Sequence, residues 1–220
     1  MPSVKIPRKS TDFDMTPFVD VAFLILTFFI LATKFKPPER ITVKTPKSVS
    51  ADKLKEQDGM IVSFDSAGKV FLNITVLKAE NRDILYSEII SSVNAAKKLG
   101  LTDAEKQAFK NEPLVGVPFS QLKARLGGEK VPETGIPVDS TNNELAQWVA
   151  SANDVFRSHT DMKLQPNYLI KGDNSAAFPS FKGVIDAFRI NEVFKFQLVT
   201  DPRGVPEGTE LFKNPRRAAE

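Results

Sequence analysis

A long apolar run near the start of the chain contrasts with the mixed polar and apolar pattern of the rest. From Pro17 to Thr33 the sequence reads PFVDVAFLILTFFILAT, and its single charged residue is Asp20. As an α-helix this run would be about 25 Å long, slightly short of the ~30 Å hydrocarbon core of a bilayer. Lys34 and Lys36, at its end, could reach the lipid headgroups. The pattern predicts one transmembrane helix, which we place at residues 14–36.

Two other interpretations of the apolar run fit less well. A buried helix of a soluble protein would need a polar face, and Val21–Leu31 almost lacks one. A cleaved signal peptide would need a small-residue cleavage site before Lys34 and would not contain an acid in its apolar stretch. We therefore expect an uncleaved anchor. The flanking charges leave its orientation open, because basic residues both precede and follow the run.

The polar residues of the predicted helix converge on Asp20. A carboxylate in a membrane helix costs roughly 2.5–3.5 kcal/mol on insertion scales, and lipid cannot satisfy it. On a helical wheel, Thr16 and Thr27 lie within about 40° of Asp20. An apolar environment favours the neutral carboxyl, and a group that switches between neutral and charged forms suits proton translocation. Such a face requires covering helices from a partner protein. The alternative, that Asp20 is solvated at the interface and merely ends the helix, remains open.

The residues around Asp20 also resemble a known family. The stretch from Asp14 to Val21, DMTPFVDV, is similar to the signature of the ExbD/TolR family, whose members read closely as NVTPFIDV. Met15 and Val19 are mild departures from that pattern. Residues 78–140 have no counterpart in the short members, and we interpret them as a helical insert. Weaker similarity, to the opening hairpin and the closing strand–helix–strand of the family, covers three further segments: Met60–Asn73, Tyr168–Asp173 and Phe196–Thr200.

The resemblance implies a role in energy transduction. ExbD-type proteins sit as a pair inside a ring of ExbB-type subunits, use the proton-motive force, and pass motion to TonB for outer-membrane transport. By resemblance, Asp20 is the proton-carrying carboxylate, and its pathway neighbours are Thr16, Pro17 and Thr27. The implied partners are an ExbB/TolQ-like ring, a TonB-like protein and a second copy of the chain, with peptidoglycan as a further candidate. The implied location is the bacterial inner membrane, with residues 1–13 cytoplasmic and the C-terminal domain periplasmic.

The remainder of the chain predicts a small α/β (α+β) domain with a mixed sheet at residues 59–200, between an extended linker at 37–58 and a flexible tail at 201–220. In the linker, Ile41–Thr45 alternates like a strand that could pair with a partner or sister chain, although a plain spacer fits equally. Thr141 and Glu144 are spaced as a capping box at a helix start, and Trp148 faces inward on that helix. The predicted elements are a hairpin at 61–64 and 70–74, helices at 84–99, 103–111, 120–126, 141–157 and 180–190, and strands at 168–171 and 194–200.

Composition narrows the possible functions. The chain has no cysteine and one histidine, which excludes disulfides and thiolate chemistry and argues against a zinc enzyme. The net charge of +3 is small and scattered, so nucleic acid is not expected as a partner. His159 lies in a polar stretch and is expected at the surface, and neither Asp173 nor Asp186 has a paired acid or base at useful spacing.

We therefore expect no enzyme and no cofactor, with the proton as coupling ion, although the sequence alone leaves sodium open. Two alternatives to the ExbD role remain. One is a TolR-like subunit of a Tol–Pal envelope-constriction motor, and the other is a passive anchored cell-wall-binding module. Asp20 favours ion coupling over the passive module, because a passive anchor gains nothing from a membrane carboxylate.

Overall fold

The structure, a computed structural model, describes residues 14–32, 41, 43–49, 58–159, 162, 164 and 166–204. These residues belong to two compact units, one within residues 1–40 and the other within residues 41–220. The predicted cytoplasmic segment 1–13, the end of the predicted membrane helix at 33–36 and residues 205–220 of the predicted tail lie outside the described residues.

The first unit contains one helix, α1, at Thr16–Ala32. Every side chain from residue 14 to residue 31 is exposed within this chain, except that of Thr27, which is partly buried. Within the described residues, no helix combines the length and the apolar character needed to cross a membrane. The transmembrane assignment therefore stays a prediction.

The second unit is an α/β domain built on a five-stranded mixed sheet. Across the sheet the strands lie in the order β4 (Leu114–Val115), β3 (Val70–Thr75), β2 (Gly59–Phe64), β5 (Asn167–Gly172) and β6 (Gln197–Leu198). Strand β2 pairs antiparallel with β3 and parallel with β5. The mixed sheet predicted from the sequence is therefore confirmed. In chain order the elements are β1 Lys47–Ser48, β2 Gly59–Phe64, β3 Val70–Thr75, α2 Ala79–Lys97, α3 Asp103–Asn111, β4 Leu114–Val115, α4 Phe119–Leu126, α5 Glu144–Ser158, β5 Asn167–Gly172, α6 Phe178–Ile190, β6 Gln197–Leu198 and β7 Asp201–Pro202.

The predicted hairpin is confirmed as β2 and β3. Two hydrogen bonds close its turn: the Asp65 N–H donates to the Lys69 carbonyl at 3.1 Å, and the Asp65 carboxylate accepts the Lys69 N–H at 2.9 Å. Gly68 has a φ of +80°, a conformation that a side chain would strain. The sequence shows both the turn residues and the alternation of apolar and polar residues on either side. Together they fix the register in which β2 pairs with β3.

The closing strand is shorter than predicted. The sequence pattern placed a strand at residues 194–200, but only Gln197–Leu198 pairs with β5. Phe194 is 74% exposed and both β6 residues face solvent. The segment lies at the sheet edge, where its apolar residues gain little burial to hold an extended strand against its neighbour.

The capping box predicted at Thr141 and Glu144 is wrong. Asn143 begins α5, because its side-chain oxygen accepts the Ala146 N–H at 3.1 Å. Glu144 instead accepts the backbone N–H of Phe119 at 2.7 Å, a contact between distant parts of the chain. A tertiary hydrogen bond therefore overrides the local motif. The domain does contain a capping box at the start of α3, between Thr102 and Glu105. The Thr102 N–H donates to Glu105 Oε2 at 2.6 Å, and the Glu105 N–H donates to Thr102 Oγ1 at 3.3 Å.

One hydrophobic core joins the predicted insert to the rest of the domain. Trp148 is fully buried, as predicted, and stacks between Phe109 of α3 and Phe119 of α4 with centroid distances of 5.8 and 5.5 Å. Leu101 and Leu122, also in residues 78–140, belong to the same core cluster. The insert is thus part of the domain core.

The described part of the linker bonds to its own domain. Of the segment Ile41–Thr45, for which the sequence leaves a pairing strand and a plain spacer open, residues 41 and 43–45 are not in a strand. The strand lies farther on, as β1, and pairs in parallel with β7, at the beginning of the predicted tail. The Lys44 N–H donates to Asp173 at 3.0 Å, and its carbonyl accepts the Asn174 N–H at 2.9 Å. Strands β1 and β7 have two residues each. Such strands are too short to show an alternating pattern in the sequence.

Acid should loosen this attachment. The backbone N–H groups of Ser175 and Lys44, in that order of effect, hold the pKa of Asp173 below its usual value. A lowered pKa stabilises the folded state above the usual aspartate pKa of about 3.9, and the effect is lost as pH falls through the lower folded value. We expect NMR hydrogen-exchange protection of the Lys44 amide to fall as the pH drops below the usual aspartate pKa of about 3.9 and through the lower folded value.

The matched variants are Asp173→Asn and Asp186→Asn. Asp173→Asn should lower protection of the Lys44 amide at neutral pH and remove its acid dependence, because the charge that protonation would neutralise is already absent. Asp186 pairs with Lys182 and Arg189 on the surface of α6, so its replacement should leave that protection unchanged. Protection that is insensitive to both acid and Asp173→Asn would show that Asp173 does not hold the linker.

Candidate ion-coupling site on the N-terminal helix

The first turn of α1 is organised by Asp14. Its Oδ1 accepts hydrogen bonds from the Thr16 backbone N–H at 3.0 Å and from the Thr16 hydroxyl at 2.6 Å. An acidic side chain at this position satisfies an N–H that has no partner inside the helix and suits the positive end of the helix dipole. Pro17 follows in the first turn, where its missing N–H leaves no hydrogen bond unmade.

Asp20 lies one helical turn after Thr16, on the same side of α1. Its carboxylate is exposed and forms no hydrogen bond or ion pair with any other residue that the structure describes. The surrounding surface is a shallow concavity lined by Asp14, Thr16, Pro17, Val19, Asp20 and Phe23. Three of the four predicted site residues therefore share one surface, with Thr16 and Pro17 beside the Asp20 carboxylate.

Thr27, the fourth predicted residue, lies two turns farther along the helix. Its hydroxyl donates to the carbonyl oxygens of Phe23 and Leu24, both at 2.9 Å. A hydroxyl has one proton, and this proton is shared by the two backbone oxygens. Toward any group outside the helix, Thr27 is thus oriented as an acceptor. It can receive a hydrogen bond from water or from a protonated carboxyl group.

The other side chains of α1 supply apolar surface. Phe28 and Phe29 contact each other edge to face, with ring centroids 5.9 Å apart. Large apolar side chains from Phe18 to Leu31 are more than half exposed. Exposed apolar surface on this scale marks an interaction with lipid or protein. Asp20 is the one ionisable side chain within Thr16–Ala32.

The α/β domain offers no comparable chemical centre among its described residues. No group of acids and histidines there, or elsewhere in the described chain, could hold a metal ion. His159 is only partly exposed, and its Nε2 lies 2.8 Å from Glu88 Oε2, which ties the end of α5 to α2. Asp173 holds the linker and Asp186 pairs with Lys182 and Arg189. These contacts are structural.

Sequence reasoning missed Asp14 as a functional candidate. It was part of the motif that carries the family resemblance, but its link to the Asp20 surface becomes visible only in the hydrogen bonds to Thr16. An aspartate at the entry to a helix, here two residues before Thr16, is a typical signal of a helix cap. That signal was present in the sequence at residues 14–16.

Comparisons with known proteins agree with the motif. The sequence model of the family described as biopolymer transport protein ExbD/TolR matches residues 7–203, a range that includes α1 and the whole sheet of the domain. The chain is similar to a biopolymer transport protein ExbD of Pseudomonas aeruginosa, with 29% identity over 112 residues that cover 51% of this chain and 75% of that protein. No solved structure matches. Because the family match extends over most of its length, this chain belongs to the ExbD/TolR family of biopolymer transport proteins.

Proposed function

We propose that this protein is the subunit that transduces the proton-motive force in an inner-membrane motor of the ExbB–ExbD–TonB type. The motor would energise TonB-dependent transport across the outer membrane. The observation that carries the proposal is the Asp20 carboxylate, which has no partner among the described residues, on an otherwise apolar, exposed helix. Such a group is costly in an apolar environment and is retained there when it works on ions. The name of the Pseudomonas relative supports the ExbD reading.

In this proposal α1 is the single membrane helix, with the N-terminus in the cytoplasm and the α/β domain in the periplasm. The exposed apolar side chains of α1 support membrane insertion. Lipid cannot satisfy the Asp20 carboxylate, so the concave surface around it must be covered by other helices. An ExbB/TolQ-like ring is the partner that we propose, together with a second copy of this chain.

The coupling ion in the proposal is the proton. Protonation removes the charge of Asp20 and permits contact with apolar surroundings, and ionisation then requires a polar or water-filled path. Moving one charge across 100 mV is worth about 2.3 kcal/mol, enough to bias a conformational step. Thr27, oriented as an acceptor, can receive the O–H of a protonated group. Two hydroxyls and one carboxylate on this face suit a proton better than sodium, which needs several oxygen ligands.

The α/β domain transmits the motion in this proposal. Its linker is fastened through β1, β7 and Asp173, so a pull on residues 43–49 would reach the sheet directly. A TonB-like protein is the expected recipient, and peptidoglycan is a second candidate contact. None of these roles needs a cofactor or catalysis.

A TolR-like role in a Tol–Pal envelope-constriction motor is the second candidate, since the family includes both types. It uses the same helix chemistry and differs in its partners. Affinity purification from membranes separates the two: an ExbB-like ring with a TonB-like protein supports the first role, and a TolQ-like ring with Tol–Pal components supports the second. Energised uptake by cells in which Asp20 cannot ionise tests ion coupling itself.

The topology gives a direct prediction. Protease added to spheroplasts should remove the region after Lys36 and leave the N-terminal segment protected, because the domain is expected in the periplasm. A periplasmic marker that is cut and a cytoplasmic marker that survives are the controls. Survival of the domain beside a cleaved periplasmic marker would reverse the proposed orientation.

A further inference from the structure

The edge of the five-stranded sheet at β4 has backbone groups that point away from the sheet. Strand β4 is the last strand on its side and pairs with β3 alone. The Ile74 N–H donates to the Pro113 carbonyl at 3.1 Å, so the next hydrogen-bonded pair of this antiparallel ladder is Leu72 with Val115. The N–H and the carbonyl of Leu114, which lies between these two pairs, therefore point away from β3.

These outward groups are unpaired along most of the edge. Within the part of the chain that the structure describes, neither the N–H nor the carbonyl of Leu114 forms a hydrogen bond, and the same holds for the N–H of Gly116. One contact closes the far end, where the Gly135 N–H donates to the Gly116 carbonyl at 2.8 Å. The edge thus presents two donors and one acceptor in the arrangement that receives a neighbouring strand.

A cavity of about 170 Å³ adjoins this edge, and residues 114–117 form one of its walls. It is smaller than the roughly 300–1,000 Å³ of a typical small-molecule pocket. A cavity of about 150 Å³ can hold a group the size of benzene, so this one has room for a single aliphatic side chain. The side chains that α3, α4 and the residue after α3 add to its lining are one alanine, two leucines, an acid and a base: Ala108, Leu122, Leu126, Glu112 and Arg125.

The open edge and the cavity suit the same ligand. Val115 and Val117 are buried in the core cluster that also contains Phe109 of α3 and Leu122 of α4. Alternate residues of a strand face opposite sides of a sheet, so a residue of an added strand on the same face as Val115 would point toward these helices. We propose that the β4 edge binds an extended peptide segment of another protein, which adds a sixth strand to the sheet and places one aliphatic side chain in the cavity.

The unpaired backbone groups favour an extended segment over a helical one. A helix bonds its own N–H and carbonyl groups internally and would leave those of Leu114 and Gly116 without partners, whereas an added strand pairs with them. The inference rests on the α/β domain alone and is independent of ion coupling through Asp20. It gives residues 78–140, which supply β4, α3 and α4, a role in binding a partner protein.

Two pairs of variants test the cavity and the edge separately. Ala108→Leu fills the cavity from α3 with a residue that favours helix, and Ala104→Leu is its matched control, because Ala104 is exposed one turn earlier on α3 and does not line the cavity. Leu114→Pro removes the outward N–H of Leu114 and leaves the hydrogen bonds between β3 and β4 in place. Leu114→Val keeps that N–H and is the control for the proline.

The probe is a phage-displayed library of random linear peptides, selected on the full chain in detergent. We expect the enriched peptides to share one aliphatic residue and to bind wild type, Ala104→Leu and Leu114→Val with similar affinity. Ala108→Leu should weaken their binding by about 10- to 100-fold, the factor that burial of one aliphatic side chain contributes. Leu114→Pro should weaken it by about 2- to 10-fold, the factor that corresponds to one hydrogen bond.

Backbone methylation of an enriched peptide tests for strand pairing on the unaltered protein, so this result does not depend on how a variant folds. The N–H groups of a strand point alternately to its two edges. Synthetic copies of the peptide, each with one N-methylated residue, should therefore lose affinity at every second position of the bound segment and keep it at the positions between. A peptide held by its side chain alone would show no such alternation.

The inference is overturned if no enriched peptide distinguishes Ala108→Leu from Ala104→Leu, or if methylation shows no alternation. Tighter peptide binding by a chain that ends at Gly204 would assign the edge to residues 205–220 of the chain itself. A dimer of the chain that dissociates with Ala108→Leu and persists with Ala104→Leu would assign it to a second copy. Either of these two results would also overturn the assignment to another protein.

Discussion

Replacing Asp20 with asparagine should reduce energised uptake of a TonB-dependent substrate to the level of cells that lack the protein. Asparagine has nearly the same shape as aspartate, so membrane insertion and partner assembly should persist. It cannot ionise, so the helix loses the group that alternates between neutral and charged forms. The described part of α1 has no other ionisable side chain to replace it, because Asp14 lies before the helix.

Graded variants make the measurement specific. Asp20→Glu keeps a titrating carboxyl group one methylene farther from the backbone and should retain part of the uptake. Thr27→Val should harm uptake less than Asp20→Asn, because the Thr27 hydroxyl is bonded within its own helix and carries no charge. Uptake is compared at matched membrane levels of each variant and with matched recovery of the partner ring. Normal uptake with Asp20→Asn would rule out ion coupling through this residue and leave the passive anchored module.

The sheet and the long helices were predictable because their patterns are local. The β2–β3 hairpin combines alternation on both sides with a turn containing Gly68, and α3 was predicted with its observed ends. The start of α5 was not, because Thr141-x-x-Glu144 satisfies the local rule for a cap while the backbone of Phe119, remote in sequence, binds Glu144 in the structure. A local sequence pattern cannot show that a residue distant in the chain will bind the Glu144 side chain instead.

In the candidate site, too, some features follow from the local sequence and others depend on three-dimensional geometry. Asp20 was found from the sequence because one charge interrupts a long apolar run. The orientation of the Thr27 hydroxyl and the bond from Thr16 to Asp14 depend on side-chain geometry. The docking of the linker on Asp173 joins residues far apart in the sequence, so no local pattern could predict it.

The second large effect is expected in the core. Trp148 of α5 stacks on Phe109 and Phe119, which belong to two helices of the predicted insert, with interplanar angles of 19° and 24°. Truncating a buried tryptophan to alanine typically costs about 3–5 kcal/mol, and loss of two aromatic contacts places this site toward the upper end. Domains of this type are stable by about 5–15 kcal/mol, so much of the total would be lost. Trp148→Ala should therefore detach the insert helices and destabilise the whole domain.

A fragment of residues 41–220, which contains the entire second unit, is the sample for this measurement. The unaltered fragment should unfold cooperatively in urea when followed by far-UV circular dichroism, and Trp148→Ala should shift its midpoint strongly downward. Trp148→Phe is the matched control: the indole N–H has no hydrogen-bond partner among the described residues, so phenylalanine loses no hydrogen bond and should cost only about 1–2 kcal/mol. If Trp148→Ala costs less than Trp148→Phe, or less than about 1 kcal/mol, the stack is not what joins residues 78–140 to the core.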